Sequence, residues 1–88
     1  MARTVHVASP LRSYTRGAAS VHAQGHTLEA LLADLDRRYP GIRFRMVDEQ
    51  QRIRRHIRIF VGTQETLDLR QAIAPREPVH LICALSGG

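Results

Sequence analysis

The stretch Val79-His80-Leu81-Ile82-Cys83-Ala84-Leu85-Ser86-Gly87-Gly88 decides how this sequence is interpreted. Residues 79–85 are apolar except for His80, and such a run predicts a strand in the centre of a sheet. The strand leads directly into two glycines, and the sequence stops there. Glycines without a Cβ atom let a tail extend through a narrow channel, and they leave the terminal carboxylate of Gly88 unhindered towards attack.

Two strands are predicted near the N-terminus. Residues 4–8 alternate with period two, so that Val5 and Val7 face inward. Residues 18–23 form a weaker second strand after a polar connection over residues 11–17. We expect the two strands to pair as an antiparallel hairpin.

One amphipathic helix is predicted over residues 28–38. Thr27 is a suitable N-cap, and Tyr39-Pro40-Gly41 ends the helix because a residue before proline avoids the helical region. Four leucines at helical spacing form its apolar stripe. They are Leu28, Leu31, Leu32 and Leu35.

The segment between the helix and the last strand is less regular. Residues 42–56 are ambiguous, with a short helical turn closed by Met46 and Val47. Residues 62–65 are interpreted as a turn, and residues 67–73 as a short strand with a helical turn. One helix covers only one face of a sheet, so we predict an α+β fold. Its mixed sheet has four to five strands, with one main helix packed on one face.

A third strand over residues 56–61 defines the open face of that sheet. Its branched aliphatic residues share one face, which turns Arg58 and Phe60 outward. The same alternation places His6, His80 and Ile82 on the outer side. A contiguous apolar patch with basic neighbours usually marks an interface, and we expect one here.

Composition limits the classes of function. Residues 1–88 suffice for a single domain. No apolar run is long enough for a membrane span, and residues 1–7 contain no secretory signal. All 13 basic residues are arginine, giving a net charge of +5, and only residues 52–58 are dense in charge. We interpret that run as solvated and not as a nucleic-acid site, because aromatic residues are few and no stacking platform is apparent.

The single cysteine and the histidines are not expected to act chemically. Cys83 cannot form an internal disulfide, and the cytoplasm is the expected compartment. Its alternation with Leu81 and Leu85 indicates an inert thiol that faces inward. His6 and His80 lie close together if the first and last strands are neighbours, but two histidines alone make a poor metal site.

The sequence resembles the MoaD/ThiS family of ubiquitin-like sulfur carriers over essentially its whole length. The resemblance implies the β-grasp fold, in which the first and last strands are adjacent. Two departures are Cys83, where the family more often has proline, and a shorter segment over residues 62–78. The matching residues are Pro10-Leu11-Arg12 with Tyr14, Gly25-His26-Thr27-Leu28, Tyr39-Pro40-Gly41, Ile59-Phe60-Val61 and Ala84-Leu85-Ser86-Gly87-Gly88.

The resemblance also implies a mechanism centred on Gly88 in a flexible tail over residues 86–88. A partner enzyme that uses ATP adenylates the Gly88 carboxylate, a sulfur donor converts it to a thiocarboxylate, and a biosynthetic enzyme accepts the sulfur. Gly87 belongs to the same site. The chain, expected to be a monomer when free, binds no cofactor or metal and is not an enzyme. The expected partner-binding residues are Arg58, Phe60, His80, Ile82, Leu85 and Ser86.

Two alternatives share the activated Gly88. One is a ubiquitin-like modifier joined through Gly88 to lysines of target proteins. The other is the small subunit of molybdopterin synthase, which is a special case of the sulfur carrier. The sequence alone does not separate these from the leading interpretation.

Overall fold

Five strands and two helices form in a computed structural model that describes residues 2–84. A single 3-10 turn over Ser9–Leu11 follows the first strand. The elements in chain order are β1 (Arg3–Val7), β2 (Ser20–Ala23), α1 (Leu28–Arg38), α2 (Ile42–Met46), β3 (Ile57–Val61), β4 (Gln64–Thr66) and β5 (Val79–Cys83). Alternating apolar residues account for β1, β2, β3 and β5, and the leucine stripe accounts for the longer helix.

The sheet is mixed, with the strand order β2-β1-β5-β3-β4. β5 is its central strand, paired in parallel with β1 and antiparallel with β3. β1 also pairs antiparallel with β2, and β3 with β4. The prediction that the first and last strands lie side by side is confirmed, as are the hairpin of β1 with β2 and the α+β class.

The core lies between one face of the sheet and α1. All four leucines of the predicted helical stripe are fully buried. The inward residues of β1, β3 and β5 pack against them, which agrees with the predicted alternation. These sheet residues are Val5, Val7, Ile57, Ile59, Val61, Val79 and Leu81.

Local capping fixes α1 where it was predicted. The Thr27 hydroxyl accepts a hydrogen bond from the backbone N–H of Ala30 at 3.2 Å. Tyr39 closes the helix, its N–H bonded to the carbonyl of Leu35. The helix therefore begins at Leu28 and ends at Arg38.

A buried arginine ties the start of β1 to the loops around it, and sequence reasoning missed it. Arg3 is only 5% exposed. Its guanidinium donates to the carbonyls of Gly25 at 2.7 Å and Ile73 at 2.9 Å, and also to that of Ala74. Gly25 must be glycine here, because a Cβ atom would lie 2.4 Å from the backbone nitrogen of Leu31.

The prediction for residues 62–73 was wrong in its strand placement. Gly62, at φ +63°, and Thr63 alone make the turn, because Val61 already pairs with Gln64. The returning strand is therefore β4, at Gln64–Thr66, and not residues 67–73. Leu67 follows it and is 73% exposed.

The remaining differences concern the limits of elements. The ambiguous region after α1 contains α2, followed by an isolated bridge between Val47 and Ile53. β2 starts at Ser20 and β5 ends at Cys83, so both are shorter than predicted. No helix within residues 2–84 is long and apolar enough to cross a membrane.

Candidate partner-binding face and tail root

One row of side chains crosses the open face of the sheet from edge to edge. Strand register aligns His6 with Ser20 on one side and with His80 on the other. His80 in turn lies opposite Phe60, and Phe60 lies opposite Glu65. Each of the five strands contributes one residue to this row, so the row exists only when the strands pair in the folded protein.

The two histidines of the row are in contact. Their ring centroids are 4.6 Å apart, and the planes differ by 12°. Burial, together with the nearby charge of His6, lowers the pKa of His80 from its usual value. His80 is therefore held towards the neutral form, which presents a flat and largely apolar ring to a partner.

A second row gives the face its apolar and basic character. Arg58 lies opposite Ile82, which is 40% exposed. The guanidinium of Arg58 forms an ion pair with Glu65 of β4 at 3.2 Å. Phe60, which belongs to the first row, is half-buried. The predicted outward placement of Arg58, Phe60, His80 and Ile82 is confirmed, and the four residues lie together. We call them, with His6, the open face.

The open face continues into a shallow cleft that the sequence did not reveal. The cleft has a volume of about 280 Å³ and lies beside His6, His80 and Ile82. Arg12 lines its end, held by a hydrogen bond of 2.9 Å from its Nε to the carbonyl of Val7. The 3-10 turn at Ser9–Leu11 brings Arg12 there, and the Pro10-Leu11-Arg12 motif was the available signal.

The last described residues form the root of the C-terminal tail. The N–H of Ala84 donates to the carbonyl of His56 at 2.7 Å, so β5 stays attached to the segment before β3 up to this point.

The single cysteine lies next to this point. Cys83 is half-buried and packs against the core, in agreement with its predicted inward orientation. Burial raises the pKa of the Cys83 thiol, although the charge of Arg45 acts in the opposite direction. The thiol is thus protonated at neutral pH, as expected for an inert cysteine.

Four of the predicted site residues lie outside the described residues. They are Leu85, Ser86, Gly87 and Gly88. Within residues 2–84, no group of three or more histidine, cysteine, aspartate or glutamate side chains is arranged to hold a metal ion.

The mixed sheet, the single covering helix and the central last strand that leads to Gly-Gly define a ubiquitin-like protein of the β-grasp fold. No protein-family model matches the chain. The chain is, however, 34% identical over 90 residues to the sulfur carrier protein CysO of Mycobacterium tuberculosis and of Mycobacterium bovis. The aligned region covers 97% of this chain and 97% of each relative. The chain therefore belongs to the CysO family of ubiquitin-like sulfur carriers.

Solved structures agree with this assignment. The crystal structure of Mycobacterium tuberculosis CysO is 33% identical and superposes with a TM-score of 0.88, over 94% of this chain and 99% of that one. A chain of the BexX/CysO complex from Amycolatopsis orientalis is 28% identical, with a TM-score of 0.89 over 98% and 99% of the two chains. SAMP1 from Haloferax volcanii, at 19% identity and a TM-score of 0.83 over the whole of both chains, shows the fold alone. The protein is accordingly a ubiquitin-like sulfur carrier.

Proposed function

We propose that Gly88 is the residue that carries sulfur. The Gly88 carboxylate attacks the α-phosphorus of ATP on an adenylating enzyme and releases pyrophosphate. A sulfur donor then displaces AMP from the acyl-adenylate, which leaves a thiocarboxylate at Gly88. A biosynthetic enzyme finally accepts that sulfur, so the carrier acts as a co-substrate of each partner.

The observation that supports this proposal most strongly is the position of β5. It is bonded to a neighbouring strand on each side, and Ala84 remains attached to His56 beyond its end. The four following residues thus start from a point that is held by hydrogen bonds to the sheet and to His56. Gly87 and Gly88 lack Cβ atoms and suit a narrow enzyme channel. The proposed reaction consumes ATP, which is supplied in the cytoplasm, and we therefore propose that the protein acts there.

We further propose that the open face is where the adenylating enzyme binds. Phe60 and Ile82 supply an apolar centre, and Arg58 supplies a basic edge. Interfaces of this type gain affinity from buried apolar anchors and association rate from complementary charge. Leu85 and Ser86 would extend the contact towards the active site.

Deletion of Gly88 tests the assignment of the reacting carboxylate. Pyrophosphate exchange catalysed by the cognate adenylating enzyme should be abolished, while the urea midpoint should stay unchanged because Gly88 has no side chain to bury. Deletion of Ala2, at the opposite terminus, is the matched control and should leave exchange intact. Normal exchange by the protein that lacks Gly88 would exclude Gly88 as the site.

The two alternatives have less support, because the relatives at 34% identity are named sulfur carriers. Intact mass of the protein from its native host separates carrier from modifier. Replacing one carboxylate oxygen by sulfur adds about 16 Da by atomic mass, whereas conjugation to a lysine adds the mass of an entire protein. A molybdopterin synthase subunit would instead co-purify with a large subunit.

A further inference from the structure

A basic cleft lies at the tail root and shares no lining residue with the open face. It has a volume of about 220 Å³ and is lined by Phe44, Arg45, Arg54 and His56. We call it the Arg45 cleft. The backbone carbonyl of His56 accepts the N–H of Ala84, so the cleft adjoins the point where the described chain ends.

The cleft has a fixed aromatic wall. Phe44 lies on α2 and is 57% exposed. The Arg54 guanidinium lies over its ring, with 4.7 Å between the guanidinium carbon and the ring centroid. Arg54 Nε also donates to the carbonyl of Phe44 at 2.8 Å. Two contacts to the same residue hold the guanidinium in one orientation.

The cations of the cleft are available for an external anion. The terminal nitrogens of Arg54 have no acceptor among residues 2–84, and Arg45 forms no ion pair there either. Arg45 is exposed, yet its charge acts on the Cys83 thiol, so it lies near the end of β5. The carboxylate of Asp48 accepts hydrogen bonds from the backbone N–H groups of Gln50 and Arg52 in its own loop, and within residues 2–84 its ion pair is with Arg52 and not with a residue of the cleft.

The occupant is constrained by the length of the tail. Four residues follow Ala84, and a fully extended chain of four residues spans at most about 14 Å. An enzyme that reacts with Gly88 must therefore approach within that distance of Ala84. Its surface around the active-site entrance then lies within reach of the Arg45 cleft, because His56 of the cleft binds Ala84.

We propose that the Arg45 cleft binds an acidic segment at the active-site entrance of the adenylating enzyme. Arg54 offers a fixed pair of donors suited to a carboxylate, and Arg45 adds a second positive charge. A nucleic acid fits less well, because the cleft of about 220 Å³ is lined by two arginines and not by an extended row of cations that would follow a phosphate backbone. This inference rests on the proposed reaction at Gly88.

Arg45→Glu tests the cleft without disturbing the fold, because the side chain is exposed and has no partner among the described residues. In pyrophosphate exchange at varied carrier concentration, KM should rise by about tenfold or more, with kcat nearly unchanged. Raising the salt concentration should narrow the difference from the unaltered protein. The matched control is Arg76→Glu, the same charge change at an exposed position before β5, and it should alter KM less than about twofold.

Each other result has a distinct meaning. Equal KM values for Arg45→Glu and Arg76→Glu would overturn the cleft proposal and leave the reaction at Gly88 intact. A KM for Arg45→Glu below that of the unaltered protein would show that the chain's own tail occupies the cleft, and would also overturn the proposal that the cleft binds the adenylating enzyme. A short RNA duplex could bind the unaltered protein tightly and fail to bind Arg45→Glu, while pyrophosphate exchange stays the same for both. That result would overturn the proposal, because the ligand of the cleft would be a nucleic acid and not an acidic protein segment. No exchange by the unaltered protein would overturn both proposals.

Discussion

The imidazole of His80 stacks on that of His6, with 4.6 Å between the ring centroids, at the centre of the open face. The parallel register of β1 and β5 imposes this contact, because it places the two residues directly opposite each other. Burial and then the charge of His6 lower the pKa of His80, so the folded protein binds a proton there less readily than the unfolded chain.

The first prediction is a loss of stability on acidification that depends on His80. The unfolded chain takes up a proton near the ordinary histidine pKa of 6.5, whereas folded His80 does so only at lower pH. The stabilisation is thus fully present above about pH 6.5 and is lost as the pH falls through the lowered pKa of His80. Urea unfolding at a series of pH values should show a shallower decline for His80→Gln than for the unaltered protein. His26→Gln, at an exposed loop position, is the control, and an unchanged slope for His80→Gln would contradict the assignment.

The second prediction separates binding from stability at Phe60. Because Phe60 is half-buried on the open face and lies outside the core, Phe60→Ala should weaken binding of the adenylating enzyme by roughly 1–3 kcal/mol. The loss of stability should stay below that of a core truncation. Titration calorimetry and urea unfolding on the same variant measure both. An unchanged affinity for Phe60→Ala would contradict the role of the open face in binding.

The third prediction concerns the rate of association. Arg58 is exposed, and among residues 2–84 its ion pair is with Glu65, so Arg58→Glu should act mainly through long-range charge. Stopped-flow mixing with the adenylating enzyme should show slower association, most strongly at low salt. Arg70→Glu is the control, because Arg70 is an exposed arginine paired in a similar way with Asp68. Equal slowing by both variants would mean that net charge, and not the open face, governs association.

The fourth prediction tests the helix face. Leu31 and Leu35 are fully buried, so Leu31→Ala or Leu35→Ala should each lower the free energy of unfolding by roughly 2–5 kcal/mol. Arg37 lies on the solvent side, with a side chain 77% exposed, and Arg37→Ala should cost much less. Urea denaturation of the three variants makes the comparison. Equal midpoints would contradict the packing of α1 on the sheet.

Local patterns determined most of the elements of this protein. The leucine stripe with the Thr27 cap fixed α1, because helix periodicity and capping are properties of neighbouring residues. Alternation along β3 and β5 placed Phe60 and Ile82 outward, since successive side chains of a strand point to opposite faces. The motifs shared with sulfur carriers also indicated the family from the order and spacing of residues alone.

The tertiary structure decided what long-range contacts control. The position of β4 depended on a tight turn at Gly62, and the burial of Arg3 on loop carbonyls about 70 residues away in sequence. The stack of His6 on His80 and the placement of the Arg45 cleft beside Ala84 arise from strand register and from α2 packing next to the end of β5. The residue pattern of a segment predicts whether that segment is a helix or a strand, but it does not predict how the segment aligns with another that is distant in sequence. The contacts named here depend on that alignment, so only the folded sheet with β5 at its centre determines them.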